Sequence, residues 1–586
     1  MKFHVIFIKS KSYCKRCETY FLVPNYPYIF LTGEIIVLKK KGIARREFLT
    51  SIGRVAGSSA MLRAMAAMGI SISTSSCGSS SAGGGSPSVS GQSLTTNSSS
   101  TSSNSPALKS PRPGDWQNNI GSGKSVVILG AGIAGMTTAY EMKKLGYSCT
   151  ILEATNRAGG RNRTIRSGDT IVETDSNQTC LFDVDDDLYF NPGPARISHH
   201  HEFLISYCRE FNVELETFVN DNRAALIHST SSFGGQPQIA RSILADSRGH
   251  IGRLLSFAVN QNALDQELSA TDKTQILQML TRFGALGSNY TYTGSSRAGF
   301  PGQEDKGSRQ RDESLTPRQI QELISEPIWQ ARLDFFHGLN QQATMLQPVG
   351  GMDRIADAFK NQVGSDIQYE SIVKEIRKIV NGVRVVYEKS SIMTSLEVDY
   401  CVCTIPAPVL KDIPNDFSSE FQQEISNFGY SSAAKLAFQS KRFWEKDHNI
   451  YGGISWTDQD ITQIWYPSFG FGKSKGILVG AYIWGATAAN SFANQTPQQR
   501  ITAAMTQGSI LHSEYTSEVT HGISVSWLKV PYQMGAYGYS TPNVLLNPDD
   551  NIFFAGEHLS ILQGWQEGAI LSAYNAIDGI VKKDIG

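Results

Sequence analysis

The chain has no surplus of charge: 53 lysines and arginines stand against 53 aspartates and glutamates in 586 residues. A zero net charge excludes a global field that would gather nucleic acid or anionic lipid. No basic block of nucleic-acid type lies outside the N-terminal region, so no nucleic-acid partner is expected. Cysteine is scarce, with eight in the chain, which excludes a disulfide framework. Cys14 and Cys17 form a lone CxxC, while Cys149, Cys401 and Cys403 fall in apolar runs and read as small core residues. Cys180 and Cys208 could pair. A long unbroken apolar run is also missing. The stretch 20–38 is interrupted by Pro24, Pro27, Gly33 and Glu34, so stable membrane insertion of the mature domain is not expected. Metal-ligand spacing is lacking too. His199, His200 and His201 are adjacent and cannot all face one site. The cluster Asp183, Asp185, Asp186 and Asp187 lacks the glycine and glutamate of a calcium loop. No metal centre is expected.

What is there is an ordinary share of apolar residues, 40%, over a length that predicts more than one domain. The N-terminal region differs from the rest. Lys39-Lys40-Lys41, then Arg45-Arg46-Glu47-Phe48-Leu49 and an Ala-, Gly- and Met-rich stretch to residue 72, resemble a twin-arginine export signal. A periplasmic or secreted location follows as an expectation, with 1–40 as an upstream extension and 41–72 as the signal. Arg54 and Arg63 interrupt the apolar stretch. Residues 73–120 are rich in Ser and Gly, cannot bury a core and read as a linker. A lipid on Cys77 is not expected, because Thr74 occupies the position where a large apolar residue is usual.

The chain is organised around residues 124–164. An apolar β-branched run, Val126 to Leu129, leads into Gly130-x-Gly132-x-x-Gly135; a helical pattern follows, and a second apolar run ends on Glu153. Strand, glycine turn, helix, strand and acid form the dinucleotide-binding fingerprint in its required context. Gly130 permits the tight turn. Gly132, with Ile133 and Ala134, brings backbone close to a pyrophosphate at the helix start. Gly135 allows close helix–strand packing, and Glu153 can accept from both ribose hydroxyls. An acid there disfavours a 2′-phosphate.

Ala154, Arg157, Gly159-Gly160-Arg161 and Thr164 come directly after the acid. This stretch resembles flavoproteins of the amine-oxidase family, which implies FAD as cofactor, with Gly160 and Arg161 beside it. Asn191-Pro192-Gly193-Pro194-Ala195-Arg196 resembles the Gly-Pro-x-Arg element of the L-amino acid oxidases within that family. The resemblance implies that Pro194 and Ala195 adjoin the flavin and that Arg196 holds a substrate α-carboxylate. Ala195 stands where relatives carry Met. Gln347 to Met352 rejoins the family pattern, and Val373 matches a residue whose backbone meets the adenine. Lys435 aligns with the catalytic lysine that holds a water near the flavin, and Tyr482 with a tyrosine that binds the substrate carboxylate. The C-terminal Asn551 to His558 carries Gly556-Glu557, followed by Gly564-Trp565 and Ala569 at a helix start. There the family places Gly556, Glu557, Trp565 and Ala569 against the flavin, and Gly564 and Trp565 at the substrate. Monoamine oxidases attach FAD through a cysteine near this point. The last cysteine here is Cys403, so non-covalent FAD is expected.

The resulting fold class is α/β and α+β. A discontinuous Rossmann-like FAD-binding domain is expected from 121–197, 345–429 and 546–586, with a mainly helical domain at 198–344 and a mixed-sheet substrate-binding domain at 430–545. Within the helical block, the spacing predicts helices at 274–283 and from Thr316-Pro317 onward, around a polar loop at 287–311. Asn381-Gly382 predicts a hairpin. The expected activity is FAD-dependent oxidative deamination of an L-amino acid by O2, giving a 2-oxo acid, ammonia and hydrogen peroxide. The alternatives are an amine or polyamine oxidase or an amino-acid 2-monooxygenase of the same fold, or a non-catalytic flavin-binding secreted protein. Relatives often form dimers, which makes a homodimer an expectation. Side-chain preference is not legible.

Overall fold

The computed structural model describes residues 28–31, 34–37, 110–300, 314–325 and 334–586. The expected export signal, Cys14 and Cys17, Cys77 and residues 73–109 of the linker lie outside them. The chain divides into two compact units, 1–94 with 248–295, and 95–247 with 296–586. In the first, Tyr28–Leu31 pairs antiparallel with Glu34–Val37. Its helix Ala270–Gly284 opens on a capping box between Ser269 and Asp272, and closes where Ala285 turns left-handed (φ 49°). Leu255, Val259, Leu264 and Leu280 form its buried cluster. The helix thus ends where the sequence pattern stops at Gly284.

The second unit is built on a parallel five-stranded sheet. Strand β1 (Ser125–Leu129) runs into helix α1 (Ile133–Lys144) and returns as β2 (Ser148–Leu152). The sheet order is Ile367–Gln368, β2, β1, Tyr400–Cys403 and Ile552–Phe554, all parallel. Alternate residues of β1 enter different cores. Val126 and Ile128 pack with Met136, Ala139 and Met142 of α1, whereas Val127 and Leu129 pack with Cys401, Cys403 and Phe554. A strand buried on both faces must be apolar throughout, which accounts for its β-branched run. The sheet is assembled from three separated stretches of the chain, 125–152, 367–403 and 552–554.

Helix α2 (Glu202–Glu210) lies on the α1 side, where Leu204, Ile205 and Tyr207 join the same core. A second sheet of seven strands has the order Gln238–Ile239, Leu226–Ile227, Gly453–Trp456, β4 (Gln463–Tyr466), β5 (Lys475–Ile483), β3 (Ala434–Lys441) and Val519–Ser526. It is covered by helix α3 (Pro497–Leu511), which begins with a Thr496–Gln499 capping box. The terminal helix is α4 (Gln566–Ile585).

Some local expectations change. The hairpin forms as Asn381-Gly382 predicts, with Asn381 at φ 63°. The helix expected from Thr316-Pro317 shrinks to Ile320–Leu323: Arg318 is instead drawn to Asp246 by its backbone N–H (3.0 Å) and guanidinium (3.2 Å). The strand expected across 398–405 divides at Asp399, whose carboxylate accepts the N–H and hydroxyl of Ser125. Cys180 and Cys208 are both free and sit in different clusters, so they do not pair.

Candidate active site

The three glycines after β1 occupy three different situations. Gly130 has φ 106°, and a Cβ there would lie 2.7 Å from the Thr404 hydroxyl. At Gly135 a Cβ would lie 2.0 Å from the Gly130 carbonyl oxygen, so α1 could not seat against the loop. A Cβ on Gly132 would meet nothing within 4 Å among the described residues. The chain therefore needs glycine at 130 and 135 for its own packing, whereas at 132 glycine leaves room open beside a helix start. Helix N-termini carry unpaired N–H groups and about half a positive charge, which suits a pyrophosphate.

That opening belongs to a cavity of about 980 Å³. Glu153, at the end of β2, is buried in its wall. Its carboxylate accepts from the Ala131 N–H (2.8 Å) and from the N–H and hydroxyl of Thr155 (2.9 and 2.7 Å). The acid thus braces the glycine loop from beneath as well as facing the cavity. Arg161 reaches across to the far end of the chain, donating to Glu557 (2.7 Å) and to the Ala536 carbonyl (2.6 Å). Burial works against the Arg161 charge, but Glu557 holds its pKa above the ordinary value. Glu557 also accepts from Gly538 N–H (3.2 Å) and Gly564 N–H (2.7 Å). One ion pair therefore closes the cavity between segments 396 residues apart.

Arg196 immediately precedes strand Ile197–Ser198, which holds it in place against Met345–Pro348. It is 9% exposed. Its guanidinium donates to Asn220 Oδ1 (3.0 Å), and Asn220 is itself fixed by donating to the Gln341 carbonyl (2.8 Å). Aromatic rings surround the charge, with Trp465 at 4.5 Å, Phe335 at 5.6 Å and Phe218 at 5.9 Å. Among the described residues no carboxylate pairs with it, and burial pushes its pKa down to about 10. Lys435 lies opposite Tyr482 in the β3–β5 register. Its amine is buried and donates to the carbonyls of Gly193 (2.6 Å) and Asn191 (3.2 Å). Burial, then the nearby Arg196 charge, holds its pKa well below the ordinary value. Its Nζ is 4.6 Å from the Tyr482 ring centroid. Burial raises the Tyr482 phenol to about 12, so it remains a donor at neutral pH.

Of the residues singled out from the sequence, Gly130, Gly132, Ile133, Ala134, Glu153, Ala154, Gly160, Arg161, Pro194, Ala195, Arg196, Val373, Lys435, Tyr482, Gly556, Glu557, Gly564, Trp565 and Ala569 all line this cavity. Gly135 does not, and acts only in packing. No cysteine lines it among the described residues. Three further residues emerge only here. Asn220 and Trp465 hold and flank Arg196, and His201 is a fully buried wall residue, edge-on to Trp565 at 4.9 Å. Burial lowers the His201 pKa to about 4, so it is neutral near pH 7. Asn220 carried no sequence signal. His201 was hidden in a histidine triplet, although its position at the start of α2 sets it apart from its neighbours.

The residues fit FAD. Open space at Gly132, the helix start behind it and Glu153 beneath the loop suit a pyrophosphate and ribose, and the same cavity is lined by Trp465, Tyr482, Tyr537 and Trp565, which suit an isoalloxazine ring. Comparisons agree. The fold resembles that of cyclohexylamine oxidase from Brevibacterium oxydans IH-35A, with a TM-score of 0.51 at 17% identity over 78% of this chain and 99% of that one. YobN of Bacillus subtilis (strain 168), provisionally named an L-amino-acid oxidase, is 27% identical over 486 residues, 77% of this chain and 93% of its own length. An L-amino-acid oxidase of Siganus canaliculatus is 26% identical over 491 residues, 80% of this chain and 87% of its own length. The family model for flavin containing amine oxidoreductases matches residues 133–580, and the chain, with its dinucleotide fingerprint, belongs to that family.

Proposed function

We propose that this chain catalyses FAD-dependent oxidative deamination of L-amino acids, yielding 2-oxo acids, ammonia and hydrogen peroxide. The observation that carries the reading is Arg196: a buried guanidinium facing the cavity with an amide, three aromatic rings and no carboxylate partner among the described residues. An unpaired buried charge is costly. A substrate that brings its own carboxylate removes that cost, and a simple amine does not. Named relatives that act on L-amino acids support the same choice.

When bound, FAD supplies the acceptor for the hydride from the substrate Cα and passes the electrons to O2. The protein supplies orientation. In this reading Arg196 and the Tyr482 hydroxyl hold the two carboxylate oxygens, while Asn220 keeps the guanidinium aimed. Trp465, Tyr482 and Trp565 wall the cavity and give the substrate side chain an apolar surface to pack on. The Lys435 amine, anchored by its hydrogen bonds to Gly193 and Asn191, orients a water that adds to the imino acid and hydrolyses it to oxo acid and ammonia. The substrate amine gives its proton to solvent and reacts in the neutral form, so its lone pair forms the C=N bond as the hydride leaves, and no strong protein base is required.

A panel of L-amino acids, their D-enantiomers and the matching carboxylate-free amines, assayed for peroxide and ammonia, tests the proposal. Turnover confined to L-amino acids is expected. Turnover of amines alone, or amide in place of oxo acid, overturns it in favour of an amine oxidase or a monooxygenase.

A further inference from the structure

Away from the flavin cavity, the substrate-domain sheet carries a second cluster of chemistry-bearing side chains. His448 follows the short helix Phe443–Lys446, His512 caps the C-terminal end of α3, and Glu514 caps the start of helix Tyr515–Glu518. One ligand atom from each lies within 4.8 Å of the others. The two imidazole rings meet edge to face at 4.6 Å, and Phe443 walls one side of both.

The partners of these groups sort their atoms. His512 is buried, and its Nε2 is engaged by the Tyr466 hydroxyl (2.6 Å), which is bonded onward to Ser455 (2.7 Å). Its Nδ1 is buried with no hydrogen-bond partner among the described residues. His448 Nε2 touches Glu514 Oε1, and Ser513 donates to Glu514 Oε2 (3.2 Å). A His448–Glu514 ion pair explains two members of the cluster and leaves His512 Nδ1 unexplained.

We propose that His448, His512 and Glu514 form a binding site for a Zn2+-class divalent ion. Two imidazoles and a carboxylate, with one position left to water, are a zinc donor set. Tyr466 on His512 and Ser513 on Glu514 are the outer partners that such ligands require. Donors around zinc sit roughly 3.3 Å apart, which the partly exposed His448 reaches by a small inward rotation; its 30% side-chain exposure also provides the entry path. The ion replaces the His448–Glu514 contact and gives His512 Nδ1 its partner. It fastens the loop after Phe443–Lys446 to the corner between α3 and Tyr515–Glu518, and through Tyr466 it steadies β4, whose neighbouring Trp465 flanks Arg196.

The test uses untagged, flavin-loaded protein, stripped with a chelator and titrated with ZnCl2 by calorimetry. Bound zinc is counted by elemental analysis after dialysis, and anomalous diffraction at the zinc edge locates it. One Zn2+ per chain is expected, between the three side chains, with a higher Tm in its presence. His448→Ala and Glu514→Gln retain the flavin spectrum and lose the stoichiometric zinc. Tyr466→Phe, which leaves all three ligands intact, weakens binding by about 10–100-fold. Absence of stoichiometric binding in the natural protein overturns the proposal, as does binding that is unchanged in both His448→Ala and Glu514→Gln.

Discussion

Exchanging Arg196 for methionine separates substrate recognition from stability. Methionine keeps an unbranched stem against Trp465 and removes the charge. Burial, slightly offset by Tyr482, lowers the arginine pKa from 12.5 to about 10, a cost of about 3 kcal/mol for holding the cation without a counter-ion. The variant loses the Asn220 hydrogen bond and the ring contacts, worth about 1–3 kcal/mol together. The two effects nearly cancel, so the substrate-free variant should unfold within a few degrees of the natural protein. Substrate binding should respond very differently. A buried carboxylate deprived of its partner costs about 3–5 kcal/mol, a fall in kcat/KM of about 10²–10⁴-fold. The assay is peroxide release from L-phenylalanine and L-leucine beside phenethylamine and isoamylamine, with Tm measured in parallel. Amino-acid turnover should collapse while any residual amine turnover is unchanged or rises. Equal losses for acids and amines, or unchanged amino-acid kinetics, would refute the carboxylate clamp.

Other perturbations bear on the cofactor end. Gly132→Ala should fold like the natural chain without flavin, since its Cβ meets nothing, but lose FAD affinity at least about tenfold; Gly135→Ala should lose about 1–3 kcal/mol of stability by pressing on the Gly130 carbonyl. Flavin retention on dialysis and apo-protein Tm distinguish the two, and matching behaviour of the variants would deny the distinction. Arg161→Gln and Glu557→Gln should each release flavin, with the double variant little worse than either single, because both break one contact at 2.7 Å; additive losses in a double-mutant cycle would show that the pair does not act as a unit. Glu567 caps α2 through the N–H groups of Phe203 and Leu204, and burial raises its pKa from 4.5 to about 7. The folded state therefore holds this proton more tightly than the unfolded state. The stabilisation is complete below about pH 4.5 and is lost as pH rises through about 7. Glu567→Gln should flatten the fall of Tm across that window, and parallel Tm–pH curves would exclude the linkage.

Much of the cofactor site was legible because its determinants are local. A turn that must pass close to phosphate demands glycine at fixed offsets, and a strand covered on both faces demands an apolar run, whatever the rest of the chain does. The same locality explains the failures. The pattern after Thr316-Pro317 had helical spacing, but tertiary hydrogen bonds from Arg318 to Asp246 interrupt it. Cys180 and Cys208 gave no sign that they would enter separate cores.

The sequence by itself determined that an adenine dinucleotide is bound, since residues 124–164 contain strand, turn, helix and acid in one uninterrupted piece. It also marked Arg196, Lys435 and Tyr482 through a family resemblance, without showing what surrounds them. Only the tertiary structure decided that Arg196 lacks a carboxylate among the described residues and faces the same cavity as the glycine loop. It alone joined Arg161 to Glu557 across the chain, and gathered His448, His512 and Glu514 from separate elements. The physical reason is range. Backbone geometry is set by a few consecutive residues, whereas the energy of a buried charge depends on every group that surrounds it, and those groups are neighbours only after folding.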